Sequence, residues 1–448
     1  MSTRRVRLLP VIGCVLAILL LAERGPSAQA PGANEAWMAS WAASVHGPYP
    51  SGNGSAQPDL TLAFPGNAEG DQTFRMMIRP DLWGRAVRIR LSNVFGTAPV
   101  TFDDVFVGLQ ASGGNVAAGT NRAAMFSGQR TVTIPAGGAV YSDQVALPFV
   151  TAASEALLAG RRLAVSFHVA GQSGPMTWHA KALTTSYVSA PGSGSHSRAE
   201  SDSAFPFTTT SWYFLDAVDV VAPADTVVIA CFGDSITDGT ASTLNGDDRW
   251  PDVFSRRVHE KYGARVSVVN AGIGGNRVVG PGSYTATAPA SGGPSALDRL
   301  ERDVLGLSGL RAVIWLEGIN DIAGGSAVDD ITAGFKTGVS RLRARGVKVF
   351  AATVTPTLGS AGAYGTPEAD ARRRQVNTFI RESGTFDGVF DFDAAAIDAA
   401  TGGLRRMFQP NSTTGGAGDK LHPNRAGYQA MGEAVDLALL APLFERGK

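Results

Sequence analysis

Residues 226–237 read TVVIACFGDSIT. The first seven are a continuous apolar run, the mark of a strand buried on both faces. Gly233, Asp234 and Ser235 follow at once, which sets Ser235 at the carboxyl end of that strand. In open parallel sheets the ligand crevice lies outside the carboxyl ends of the strands. A serine there is either a cap for the next helix or a functional hydroxyl.

Working outward, apolar runs at 266–270, 312–316, 347–354 and 389–392 alternate with helical patterns at 250–262, 297–305, 329–345 and 367–383. Buried strands alternating with helices predict a parallel sheet covered on both faces. Three further motifs then fall at strand ends or before the closing helix. Asn270-Ala271-Gly272-Ile273-Gly274-Gly275-Asn276 follows the second strand, and its glycines let backbone N–H groups face a crevice. Its G-x-G-G spacing does not fit a dinucleotide fingerprint. Gly318-Ile319-Asn320-Asp321 follows the third strand, where the Asn320 carboxamide is a fixed donor or an Asx turn. Asp419-Lys420-Leu421-His422-Pro423 precedes the last helix. The other histidine of this half, His259, sits among Arg256, Arg257, Glu260 and Lys261 and reads as solvated surface.

Taken together and in this order, the four blocks resemble the SGNH (GDSL-type) hydrolase superfamily. The resemblance covers about 225–440 and rests on Ser235, Gly275, Asn320 and the pair Asp419/His422. It implies a three-layer, flavodoxin-like α/β domain with Ser235, His422 and Asp419 as a catalytic triad. It also implies an oxyanion hole from the backbone N–H groups of Ser235 and Gly275 and the side-chain amide of Asn320. Glu317 departs from the small residue common before Gly318, a change expected to alter the pocket wall. The G-x-S-x-G elbow of α/β-hydrolases is absent around Ser235.

The chemistry suits those residue types. A serine hydroxyl becomes a nucleophile when a base takes its proton, and an unperturbed imidazole titrates near 6.5. An aspartate on the other ring nitrogen stabilises the imidazolium. No metal or cofactor is expected, and no Cys/His cluster shows zinc spacing.

The chain before 223 follows a different period. Val87, Ile89 and Leu91 alternate with Arg88 and Arg90, and Leu163, Val165, Phe167 and Val169 repeat the pattern. Turn signals such as Pro135-Ala136-Gly137-Gly138 separate the runs. An all-β sandwich, jelly-roll-like, is predicted over 31–222, with a Gly/Ser-rich loop at 189–203, no helix, and the hydrolase domain over 223–448. It looks like the N-terminal domain that accompanies some secreted members of the superfamily. Trp37, Trp41, Trp83, Trp178 and Trp212 could stack on sugar rings or fill the core.

The chain has 448 residues, 39 basic and 39 acidic, so it carries no basic footprint for nucleic acid. Arg4, Arg5 and Arg7, the apolar run 8–22 and Ala28-Gln29-Ala30 read as a signal peptide, 1–30, for secretion or export to a periplasm. Its removal would take away four arginines, Glu23 and Cys14, leaving a charge of −3 and Cys231 alone. No membrane span is expected in the mature chain. The expected partner is a small-molecule or glycan ester. The expected activity is hydrolysis of short-chain esters, O-acetyl groups on glycans first among them. A lipase or arylesterase is one alternative, and a glycan-binding protein with little or no catalysis is another.

Overall fold

The computed structural model describes residues 31–445. The signal-peptide reading falls on 1–30, outside the described residues. Five strands form the C-terminal sheet: β1 (Val227–Gly233), β2 (Val266–Gly272), β3 (Leu310–Leu316), β4 (Lys348–Ala352) and β5 (Gly388–Phe390). All pairings are parallel, in the order β2-β1-β3-β4-β5. The order reverses at β1, so β2 and β3 flank it and their ends splay into a crevice at the switch point.

Alternation inside the apolar strands assigns the two faces. Val227, Ile229 and Cys231 pack with Trp250, Phe254, Tyr428 and Met431 on one side. Val228, Ala230 and Phe232 pack with Phe335, Val339 and Ile380 on the other. The covering helices are α1 (Ser235–Asp238), α2 (Trp250–Tyr262), α3 (Ala296–Leu300), α4 (Ile319–Ala323), α5 (Val328–Ala344), α6 (Pro367–Glu382), α7 (Phe392–Ala396) and α8 (Arg425–Glu433). Helix α2 spans the segment predicted, while 297–305 divides into α3 and a π turn over Glu301–Leu305. The strand expected over 389–392 stops at Phe390, because Asp391 caps α7 by accepting from the Ala394 N–H.

The N-terminal half is strand-rich and its paired strands are antiparallel. One sheet runs Glu35–Ala42, Leu215–Pro223, Ala86–Ser92, Ala139–Tyr141. The other is built around Gly70–Ile78, Leu163–Gln172 and Val100–Ser112. A single helical turn at Glu155–Leu158 departs from the expectation of no helix. The sheets change type between Pro223 and Val227, but the core does not divide there. Met38, Trp41 and Val218 belong to the same buried cluster as Phe232 and Trp315. Strand Glu35–Ala42 lies against β2: Ser267 Oγ donates to the Ala39 carbonyl at 2.7 Å, and the Ala39 N–H donates to the Ser308 carbonyl at 2.9 Å.

This packing decides one reading that the sequence left open and corrects another. Trp41, Trp178 and Trp212 are 7%, 3% and 4% exposed, so they fill the core and offer no face to a sugar. Trp37 instead carries the Arg88 guanidinium over its ring, and Trp83 meets Phe149 edge to face. His259 is not solvated surface. Its Nε2 donates to Asp81 of the N-terminal half at 2.9 Å and its Nδ1 to the Gly263 carbonyl at 2.8 Å. A helix periodicity cannot show that the loop after the strand Gly70–Ile78 will reach its charged face. Among the described residues, no helix is long and apolar enough to cross a membrane.

Candidate active site

The carboxyl end of β1 is crowded. A Cβ added to Gly233 would stand 2.1 Å from the Leu316 carbonyl of β3, so only glycine lets the two strand ends approach. Asp234 then caps α1 by accepting from the Ile236 N–H at 3.0 Å, and Ser235 becomes its first residue. The serine does sit at a helix start, but its neighbour does the capping, which leaves the Ser235 hydroxyl for other work.

That hydroxyl lies 2.7 Å from His422 Nε2, and His422 Nδ1 lies 2.6 Å from Asp419 Oδ2. Asp419 Oδ1 meanwhile accepts from the N–H groups of Leu421 at 2.9 Å and His422 at 2.8 Å. The turn before α8 therefore fixes the carboxylate, the carboxylate fixes the ring, and Nε2 is left to accept from Ser235. Partial burial pushes Asp419 up, but the hydrogen bond and charge of His422 outweigh it and hold the carboxyl well below its usual range. Burial of the His422 ring, with the charge of Lys181, outweighs the pull of Asp419 and lowers the imidazole below its ordinary 6.5.

The glycine-rich loop after β2 lies beside this line. Gly275 has φ +85°, in the region that favours glycine. The N–H groups on either side of it are committed, Gly274 to Asp238 Oδ2 at 2.8 Å and Asn276 to the Ile273 carbonyl at 3.1 Å. Asn320, in the first turn of α4, donates from Nδ2 to the Asn276 carbonyl at 2.8 Å. A carboxamide has two such N–H groups, so one stays available to a ligand. Its Oδ1 accepts from the Tyr364 hydroxyl at 2.8 Å. The structure thus joins Ser235, His422 and Asp419 in one hydrogen-bonded line, ties the Gly275 loop to the end of β1 through the Ile273 N–H and the Gly233 carbonyl, and ties Asn320 to that loop through Asn276.

Several contributors were not legible. Arg299 of α3 is fully buried and joins the strand ends. It donates to the carbonyls of Gly233 (2.8 Å) and Ala271 (2.8 Å), to Asn276 Oδ1 (2.7 Å), and across the interface to Ser44 Oγ (3.1 Å). Asp321 accepts from the N–H groups of Val278 and Val279, anchoring the chain beyond Gly275. His179 of the N-terminal half donates to Asp238 Oδ1 at 3.1 Å, the carboxylate that also holds Gly274. Asp321 stands in the Gly318–Asp321 block without a role assigned to it there, and no local pattern marks Arg299 or His179.

Glu317 is 1% exposed and lies under the strand ends, not in a pocket wall as its sequence position suggested. Its Oε2 accepts from Trp315 Nε1 at 2.7 Å, and burial pushes the carboxyl up to about 8. Burial likewise pushes Asp234 up to about 7. Tyr284, beyond the Gly275 loop, is turned toward the N-terminal half, where its hydroxyl donates to the Gly47 carbonyl at 2.5 Å. Among the described residues, no group of three or more His, Cys, Asp or Glu is placed to hold a metal ion.

A hydroxyl, an imidazole and a carboxylate in this line, beside convergent N–H donors, can carry out acyl transfer. Among solved structures the chain is similar to a putative lipolytic protein of the G-D-S-L family from Desulfitobacterium hafniense DCB-2, at 20% identity over 47% of this chain and 97% of that one, TM-score 0.34. It is similar to a carbohydrate acetylesterase family member from Sinorhizobium meliloti, at 16% identity over 49% and 99%, TM-score 0.36. The M. smegmatis aryl esterase aligns at 18% identity over 48% and 99%, TM-score 0.36. Comparison with curated proteins gave no match. Residues 231–430 match the GDSL-like lipase/acylhydrolase family, so this stretch of the chain carries a domain of that family.

Proposed function

We propose that the protein is an exported serine esterase that removes short acyl groups from carboxylic esters through an acyl-enzyme, with O-acetyl groups on glycans as its natural class of substrate. The observation that carries this reading is the unbroken line from Ser235 Oγ through His422 to Asp419, at 2.7 and 2.6 Å. As Ser235 Oγ attacks the ester carbonyl, its proton passes to His422 Nε2 and Asp419 stabilises the imidazolium. The oxygen gains charge and is met by the N–H groups of Ser235 and Gly275 and by Nδ2 of Asn320. His422 then returns the proton to the leaving alcohol. Water, deprotonated by the same ring, releases the acid.

The short-acyl preference rests on the segments beside the site. A long chain needs a continuous apolar wall, since each buried methylene contributes only about 0.8 kcal/mol. The stretches 278–295 and 356–366 are rich in Gly, Pro, Ser and Thr, and Tyr364 is committed to Asn320. In 356–366 the sole helical element is a single turn at Gly362–Tyr364. Export rests on the leader-like residues 1–30.

A series of 4-nitrophenyl esters from acetyl to decanoyl, run beside acetylated oligosaccharides, tests the reading. Highest kcat/KM at acetyl, with acetate released from the oligosaccharide, supports it. A steady rise toward decanoyl replaces it with a lipase. Equal activity in Ser235→Ala and wild type removes the serine mechanism.

A further inference from the structure

Lys181 is a buried lysine that, among the described residues, no ion pair joins to a carboxylate; burial lowers its pKa from the ordinary value, while the charges of Asp238, Asp419 and Asp234 act the other way. It belongs to the N-terminal half, two residues beyond the strand Trp178–His179, and is 5% exposed. Its Nζ donates to Thr240 Oγ1 at 2.6 Å. Buried charges are normally paired, and violations of that rule concentrate at functional sites.

Its surroundings are those of the reacting centre. A Cβ added to Gly274 would lie 2.9 Å from both Cε and Nζ of Lys181, so the ammonium packs on the loop that carries Gly275. Thr240, its acceptor, donates its own N–H to the Ser235 carbonyl at 2.9 Å and receives the Tyr428 hydroxyl on its carbonyl at 2.6 Å. The ammonium therefore lies between the oxyanion loop and the turn that follows the serine. It has three N–H groups, and Thr240 takes one. The carboxylates that face it are engaged elsewhere: Asp238 by His179 and Gly274, Asp419 by His422, and Asp234 by the Ile236 N–H.

We propose that Lys181 is an electrostatic component of the oxyanion site, supplied by the β-rich half to stabilise the negative charge that develops on the ester oxygen when Ser235 attacks. The proposal rests on the esterase reading above. It gives the N-terminal half a part in the chemistry rather than in substrate capture alone. A positive charge held in a dry site acts without reorganising at the moment of reaction, which is where such charges are most effective. The same charge also opposes protonation of His422. Burial lowers that ring first and Lys181 adds to it, while Asp419 and Asp238 act in the other direction.

The test uses the full chain with Lys181→Met and Lys181→Arg, checked for folding by circular dichroism and thermal unfolding. Lys181→Gln stands in if the methionine variant fails to fold. With 4-nitrophenyl acetate over pH 5–9, Lys181→Met should lower kcat about tenfold with KM within about twofold, and its acid limb should move to higher pH. Lys181→Arg should recover most of the loss. Proton NMR titration of His422 should show the same upward movement without turnover. A kcat within twofold of wild type and an unmoved acid limb overturn the proposal. So does an equal loss in the Met and Arg variants with an unmoved His422 titration, which would assign Lys181 to packing. If wild type hydrolyses no ester, the esterase reading falls by itself. The titration then still decides whether the Lys181 charge reaches His422: a raised value upholds that coupling, an unmoved one ends it.

Discussion

The Tyr364 hydroxyl donates to Oδ1 of Asn320 at 2.8 Å. With Nδ2 held on the Asn276 carbonyl, this bond fixes the plane of the carboxamide and so aims its second N–H. Tyr364→Phe should therefore lower kcat several-fold with little change in KM. Asn320→Ala should lower kcat by about 10² to 10³. Because the tyrosine acts through the asparagine, the double variant should be no slower than Asn320→Ala alone. Additive losses would place Tyr364 on the substrate instead.

The acid limb follows from His422. Burial, with the Lys181 charge, lowers the imidazole below 6.5 despite Asp419. As pH falls through that lowered value the ring takes up a proton and can no longer accept one from Ser235. The kcat/KM profile for 4-nitrophenyl acetate should stay level down to pH 6.5 and fall beneath it. A midpoint above 6.5 in a fully folded sample would contradict this assignment.

Arg299→Lys keeps the charge but cannot reach Gly233, Ala271 and Asn276 together, because a point ammonium lacks the planar fork. Disturbing this buried network should cost about 3 kcal/mol of stability. Because two of the three acceptors flank Ser235 and the Gly275 loop, the proposed mechanism requires kcat to fall at least tenfold as well. Thermal unfolding and steady-state kinetics measured together separate the effects. A lower Tm with unchanged kcat would limit Arg299 to a structural role.

Glu317 gives a stability prediction at alkaline pH. Burial pushes its carboxyl up to about 8 from an ordinary 4.5, so between those values the folded chain holds a proton that the unfolded chain has lost. Stability contributed by this group is complete below about pH 4.5 and declines as pH rises through 8. Glu317→Gln keeps the neutral shape and an acceptor for Trp315 without that dependence. Its Tm should gain on wild type as pH rises from 5 to 8. A gap that stays constant with pH would disprove the linkage.

The domain interface carries a titration of its own. Burial lowers His259, but the hydrogen bond and charge of Asp81 outweigh it and raise the imidazole above 6.5. A raised histidine stabilises fully below its unfolded value and loses that contribution as pH climbs through the folded one. Differential scanning calorimetry should show this component of the Tm decline above pH 6.5 disappearing in His259→Gln. An identical pH dependence in both proteins would remove His259 as its source.

The sequence by itself determined the five parallel strands, most of the helices that cover them, and the positions of Ser235, Gly275, Asn320, Asp419 and His422 at strand ends or before the last helix. Those features are local. Side-chain periodicity follows from backbone geometry, and a residue just past an apolar run is carried to the crevice wherever the rest of the chain goes. Tertiary structure alone decided which isolated polar residues meet. Arg299 reaches Ser44 across 255 positions, His179 reaches Asp238 across 59, and Lys181 reaches Thr240 across 59. His259 looked solvated because a helix reports only its own period, and only the packed chain shows that three of the five N-terminal tryptophans are buried. A lone buried charge leaves no periodic trace. Its partners come from segments whose approach depends on the packing of the whole core, so no window of sequence contains them.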